Sequence, residues 1–137
     1  MSSYRHSLVT LLGAASLFAV PLVVPSLFPA AATALTAADT DKDGTISLDE
    51  AKAAAATEFD KLDKDKDGSI DLKEAAHHIS KKNFKAADPD KDKTLTKDEY
   101  VALAASLFKA ADKDGDGTVN AKELHSTAGI ELDRVIE

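Results

Sequence analysis

The sequence predicts an all-α fold, a compact small helical bundle with four acidic loops in which neighbouring loops share one helix. Three observations predict it. An acidic twelve-residue window recurs four times, at 39–50, 63–74, 88–99 and 112–123. The windows start 24, 25 and 24 residues apart, too close for each loop to own two private helices. The intervals between them hold strong helix formers with neither Gly nor Pro.

In chain order, residues 1–34 come first as a candidate secretory signal. Arg5 precedes the apolar run from 8 to 20, prolines follow at 21, 25 and 29, and Ala32-Thr33-Ala34 offers a small-residue cleavage site. The uncharged stretch is long enough to raise the alternative of a membrane anchor, but its prolines would break a spanning helix repeatedly. Cleavage leaves a domain at 35–137, exported to the periplasm or the medium and free of the membrane.

Each interval then reads as one helix of about three turns, roughly 18 Å long. One helix must leave one loop and enter the next, over 50–63, 74–87 and 99–111. Leu35, Phe59, Phe84 and Phe108 lie four residues before the loops; Ala38, Leu62, Ala87 and Ala111 lie one before. Spacings of three and four put them on one face, with Leu103 and Leu107 extending the stripe, so these residues read as core. The tail after Leu124, with Gly129 and then Ile130, Leu132, Val135 and Ile136, predicts a broken last helix that covers the core. An up-and-down arrangement of continuous helices would bring loop 1 beside loop 3, and loop 2 beside loop 4.

The spacing inside each window fits a hard cation held by oxygen, the EF-hand loop pattern. Acids at positions 1, 3 and 5 approach from successive bends, position 7 offers a backbone carbonyl, and Glu at 12 closes the site. Loop 1 supplies Asp39, Asp41, Asp43, Thr45 and Glu50. Loop 2 supplies Asp63, Asp65, Asp67, Ser69, Asp71 and Glu74. Loop 3 supplies Asp88, Asp90, Asp92, Thr94 and Glu99, and loop 4 Asp112, Asp114, Asp116, Thr118 and Glu123. Gly44, Gly68 and Gly117 at position 6 allow the positive φ of a sharp bend. Loop 3 has Lys93 there, which weakens that site without abolishing it. Ile46, Ile70, Leu95 and Val119 at position 8 suit a short strand contact between paired loops.

On these residues the chain resembles the lanmodulin family, periplasmic lanthanide-binding EF-hand proteins of methylotrophic bacteria. The resemblance covers about 35–137. It rests on four loops at this pitch, the signal segment, Phe59-Asp60-Lys61-Leu62-Asp63, Lys97-Asp98-Glu99-Tyr100, Phe108-Lys109-Ala110-Ala111 and the Ala128-Gly129 turn. It implies a compact three-helix bundle of four fused EF-hand loops that binds lanthanide(III) ions in preference to calcium. The chain departs from that family at position 2, where only Pro89 is a proline against Thr40, Lys64 and Lys113. It departs again at position 9, where only Asp71 is an Asp against Ser47, Thr96 and Asn120. The fold therefore transfers more directly than the metal preference.

Composition narrows the remaining classes. The chain has 24 acids against 17 bases, and the four windows hold 19 of those acids. Such a chain has no electrostatic basis for nucleic-acid binding, and without cations its loops repel one another. There is no cysteine, which excludes thiolate metal sites and thiol catalysis. No Ser/His/Asp arrangement and no acidic cluster outside the loops suggests an enzyme. His77, His78 and His125 read as a solvated face. The only methionine is Met1, so the Met-rich groove of a target-binding sensor is absent. A dockerin-like adhesion module shares the pitch but has two loop units rather than four. The expected partners are metal ions, calcium or lanthanide(III), at up to four sites; no protein partner is legible.

Overall fold

The computed structural model describes residue 35 and residues 37–137. The expected signal segment and its cleavage site lie outside the described residues. The element order is β1 (Thr45–Ser47), α1 (Leu48–Leu62), β2 (Ser69–Asp71), α2 (Lys81–Ala87), β3 (Thr94–Thr96), α3 (Lys97–Ala111), β4 (Thr118–Asn120), α4 (Ala121–Leu124) and α5 (Thr127–Ile136). The protein is thus mostly helical, with two-stranded ladders only three residues long. Among the described residues no helix is long and apolar enough to cross a membrane.

The two long helices are capped by loop residues. Ser47 caps α1 and Thr96 caps α3, each in a reciprocal capping box with the Glu three residues on, Glu50 and Glu99. At the far ends, Asp63 and Asp112 are the C-caps, and their N–H groups donate to the carbonyls of Phe59 and Phe108. Each of these helices therefore starts on the last acid of one loop and ends on the first acid of the next.

α1 packs on α3, and α5 lies against both. Phe59 meets Tyr100 edge-on at 5.9 Å. Tyr100 is fully buried, and its hydroxyl donates to the carbonyl of Val135 at 2.9 Å, tying α3 to α5. Burial pushes that phenol above its ordinary range, with the Glu58 charge adding to the shift. Leu132, Val135 and Ile136 of α5 enter the core, whereas Ile130 stays half-exposed. Gly129 explains why α5 can fold back so closely. A Cβ there would lie 2.2 Å from the carbonyl oxygen of Glu123 and 2.5 Å from the Cα of Leu124.

Two expectations are corrected. The interval 74–87 is not one helix: residues 72–78 form a run of turns, and α2 begins only at Lys81. His77, His78 and Ile79 are weaker helix formers than their neighbours, and Ser80 starts a new helix by accepting from the N–H of Asn83 at 3.3 Å. The break reverses the chain and changes the loop pairing. β1 pairs with β4 and β2 with β3, both antiparallel, matching Ile46 to Val119 and Ile70 to Leu95. Loop 1 therefore sits beside loop 4, and loop 2 beside loop 3, rather than 1 with 3 and 2 with 4. With α1 and α3 antiparallel, a turn and a short helix return loop 3 to the end where loop 2 lies, which a continuous helix could not do.

Candidate metal centre

Loops 2, 3 and 4 begin where a helix stops, and every loop bends twice through left-handed backbone. At position 6, Gly44, Gly68 and Gly117 have φ of 88°, 87° and 87°, and Lys93 adopts the same region at 73°. Position 4 is left-handed too: Lys42, Lys66 and Lys91 at 60°, and Gly115 at 73°. Sequence reasoning missed this second bend. Its one signal was Gly115, which stands in loop 4 where the other loops have Lys.

The bends fold backbone N–H groups inward onto the carboxylates. In loop 1, Asp39 accepts from the N–H of Asp43 and Gly44 at 3.1 and 2.9 Å. Asp63 accepts likewise from Asp67 and Gly68 at 3.2 and 3.1 Å, and Asp112 from Gly115 and Gly117 at 2.7 and 3.1 Å. Among the described residues, Asp88 accepts only from Lys93 N–H, at 3.1 Å through Oδ2, and its buried Oδ1 has no partner.

The position-7 side chains serve position 5. Thr45, Ser69, Thr94 and Thr118 donate their hydroxyl and N–H to Asp43, Asp67, Asp92 and Asp116 at 2.7 to 2.9 Å. These bonds hold Asp92 and Asp116 below the usual carboxylate range, the hydroxyl contributing most. The hydroxyls are thus occupied, and what position 7 can offer a cation is its carbonyl.

The closing glutamates differ from loop to loop. Glu50 takes four donors: Thr40 N–H and hydroxyl on Oε1, both at 2.8 Å, and Ser47 N–H and hydroxyl on Oε2, both at 2.9 Å. The N–H of Ser47 and then the Thr40 hydroxyl lower its pKa to about 2. Glu123 takes three donors, from Lys113 N–H and from the N–H and side-chain amide of Asn120. Glu74 takes two, from Lys64 and Asp71 N–H. Glu99 takes two, both from Thr96 on Oε2.

Carboxylate oxygens converge to within 4.8 Å of one another in every loop. The groups are Asp39, Asp41 and Asp43; Asp63, Asp65 and Glu74; Asp88, Asp90 and Asp92; and Asp112, Asp114 and Glu123. The remaining acids, Glu50, Asp67, Glu99 and Asp116, stay on their hydrogen-bond donors outside those tight groups. At position 3 the backbone N–H two residues on pulls Asp41, Asp65 and Asp90 down. Desolvation and the repulsion of neighbouring acids outweigh it, so all three sit above the ordinary carboxylate pKa. Mutual repulsion of this kind is what a hard cation relieves. The donor set is all oxygen, and the orphaned Oδ1 of Asp88 is a further place where a positive charge fits.

Position 9 has a structural role. Ser47, Thr96 and Asn120 are helix caps, and Asp71 accepts from Lys73 and Glu74 N–H at 2.6 and 3.0 Å. Of the histidines, His77 and His125 are exposed as expected. His78 is not: its Nδ1 lies 3.2 Å from the carbonyl of Arg134 and 4.0 Å from Glu58. Glu58, only 4% exposed, also pairs with Lys61 at 2.7 Å. Nothing in the helical pattern marked that buried acid.

An EF hand family model matches residues 32–52, 56–74 and 103–126, which take in loops 1, 2 and 4 but not loop 3. No curated protein matches the chain. The three matches and the acidic clusters together support an EF-hand protein that binds calcium or a similar metal ion.

Proposed function

We propose that the chain is an exported EF-hand protein of lanmodulin type that takes lanthanide(III) or calcium ions in four loops and folds on binding them. The observation that carries this reading is the convergence of carboxylate oxygens within 4.8 Å in four loops joined by capped helices. Asp39, Asp41, Asp43 and Glu50, with the carbonyl of Thr45, would hold the cation in loop 1. The matching residues of loops 2, 3 and 4 would do the same. A bound ion supplies the positive charge that lets the acids of its loop lie close, so each loop forms together with its strand and the helix cap it supplies.

Four acids around a divalent ion leave a net −2 per loop, and around a trivalent ion −1; the charge balance supports lanthanide(III). The second reading, an exported calcium buffer or calcium-stabilised protein, draws on position 9. There Ser47, Thr96 and Asn120 add no charge and act as caps. Terbium luminescence with calcium competition separates the two, using Tyr100, beside the closing Glu99, as the donor. Sensitised emission should saturate at four ions per chain and resist calcium in large excess. If calcium displaces terbium at equal free concentration, lanthanide preference is lost and the calcium reading stands. Export rests on residues 1–34, and N-terminal sequencing of protein recovered from the cell envelope should begin at Leu35.

A further inference from the structure

Loop 3 is built differently from the other three, and the difference bears on how the molecule responds to metal. We propose that a cation in loop 3 is what seats α2 and the β2–β3 ladder, so that this end orders at higher cation concentration than the β1–β4 end. The inference rests on the cation-binding reading above and adds to it a separate response at one end.

Four features carry it. First, Asp88 is only 9% exposed, yet its Oδ1 has no partner among the described residues, whereas both oxygens of Asp39, Asp63 and Asp112 accept backbone N–H groups. A buried anionic oxygen without a donor is costly, and a cation is a partner that the fold does not itself provide. Second, the position-2 N–H of Thr40, Lys64 and Lys113 donates to Oε1 of the closing Glu at 2.8, 3.2 and 3.0 Å. Pro89 has no N–H, so Oε1 of Glu99 lacks that restraint. Third, loop 3 places two non-glycine residues, Lys91 and Lys93, in left-handed backbone, where every other loop has at most one.

The fourth feature is α2 itself. Seven residues are too few for a helix to stand alone, and Phe84 is the only one it buries. Its C-cap is Asp88, the first acid of the loop, but the N–H bond that finishes α1 and α3 is missing there. Closing the loop and ending the helix are therefore one event. Because β2 is held by β3, the strand of loop 2 follows.

Lys85, Lys91 and Lys93 line a cavity of about 310 Å³ beside Asp88, so an ammonium is the rival counter-charge. Hydrogen exchange of the full chain, titrated from chelator with lanthanum alone, tests the proposal. Peptides covering 81–96 should gain protection at higher free lanthanum than those covering 112–124. K93G, which removes one strained position, should move the first midpoint about five- to thirtyfold lower and leave the second in place. D88N should abolish the gain at 81–96 and with it that of β2 at 69–71, and leave the gain at 112–124 in place. The proposal is overturned if all peptides protect at one midpoint, or if 81–96 is already protected in chelator, as an internal lysine partner would require. If no peptide responds to metal at all, the cation-binding reading itself fails.

Discussion

At one end of the bundle β1 and β4 join loops 1 and 4; at the other, β2 and β3 join loops 2 and 3. The acids at positions 1, 3, 5 and 12 are the same at both ends, but the frames around them are not. Three of the four left-handed positions at the first end are glycine, with Lys42 the exception; at the second only Gly68 is, beside Lys66, Lys91 and Lys93. At about 1–2 kcal/mol for each such non-glycine residue, the second end carries roughly 2–4 kcal/mol more backbone strain. Glu50 and Glu123 take four and three donors, Glu74 and Glu99 two each. What differs between the ends is how much of the closed geometry the chain holds by itself, and how much is left to the ion.

The largest test of that comparison is Phe84→Ala. Phe84 is the whole buried anchor of α2, and its loss should cost about 3–5 kcal/mol in denaturant unfolding of the metal-loaded protein. Hydrogen exchange should rise in 69–71 and 94–96 while 45–47 and 118–120 keep their protection. Equal loosening of both ladders would mean that the ends form one cooperative unit, and the contrast drawn between them would collapse.

Gly129→Ala probes the other end. The added methyl would meet backbone rather than a yielding side chain, at the carbonyl oxygen of Glu123 and the Cα of Leu124. Overpacking of that kind should cost about 1–3 kcal/mol in thermal unfolding. Because Glu123 is the closing acid of loop 4, exchange should rise at 118–124 and in its partner strand 45–47, the mirror of the Phe84 result. A variant with unchanged loop 4 exchange and a lower Tm would limit the damage to α5.

Much of this was readable in the sequence, and the misses share a cause. The four windows, the apolar position 8 and the anchors Phe59, Phe84 and Phe108 are periodic, and all three anchors are buried. The break at 72–80 was harder, because Ala-rich flanks hide it. Its signals were the weak helix formers His77, His78 and Ile79 and then Ser80, a capping residue set three before Asn83, which compete weakly with helix formers on both sides. Once that break was missed, the loop pairing followed wrongly, since pairing depends on how often the chain reverses. Thr40 and Pro89 were legible as residue types; that position 2 donates to the closing Glu is a contact between residues ten apart, which only the folded loop reveals.

A smaller and more even effect should come from Asp133, on α5 and outside all four loops. Burial, reinforced by the charge of Glu137, raises its carboxyl to about 6, and its Oδ1 has no hydrogen-bond partner among the described residues. A folded-state pKa above the unfolded value means a contribution to stability that is present below about pH 3.8 and lost as pH rises through about 6. At neutral pH the ionised group therefore weakens the fold. Asp133→Asn should raise Tm at pH 7 by up to about 5 °C, discounted for partial exposure, and should change little near pH 4. Since α5 packs on both long helices rather than on one ladder, this variant should shift exchange at the two ends alike. A gain confined to one end would place α5 with that end, and the division of the molecule would have to be redrawn around it.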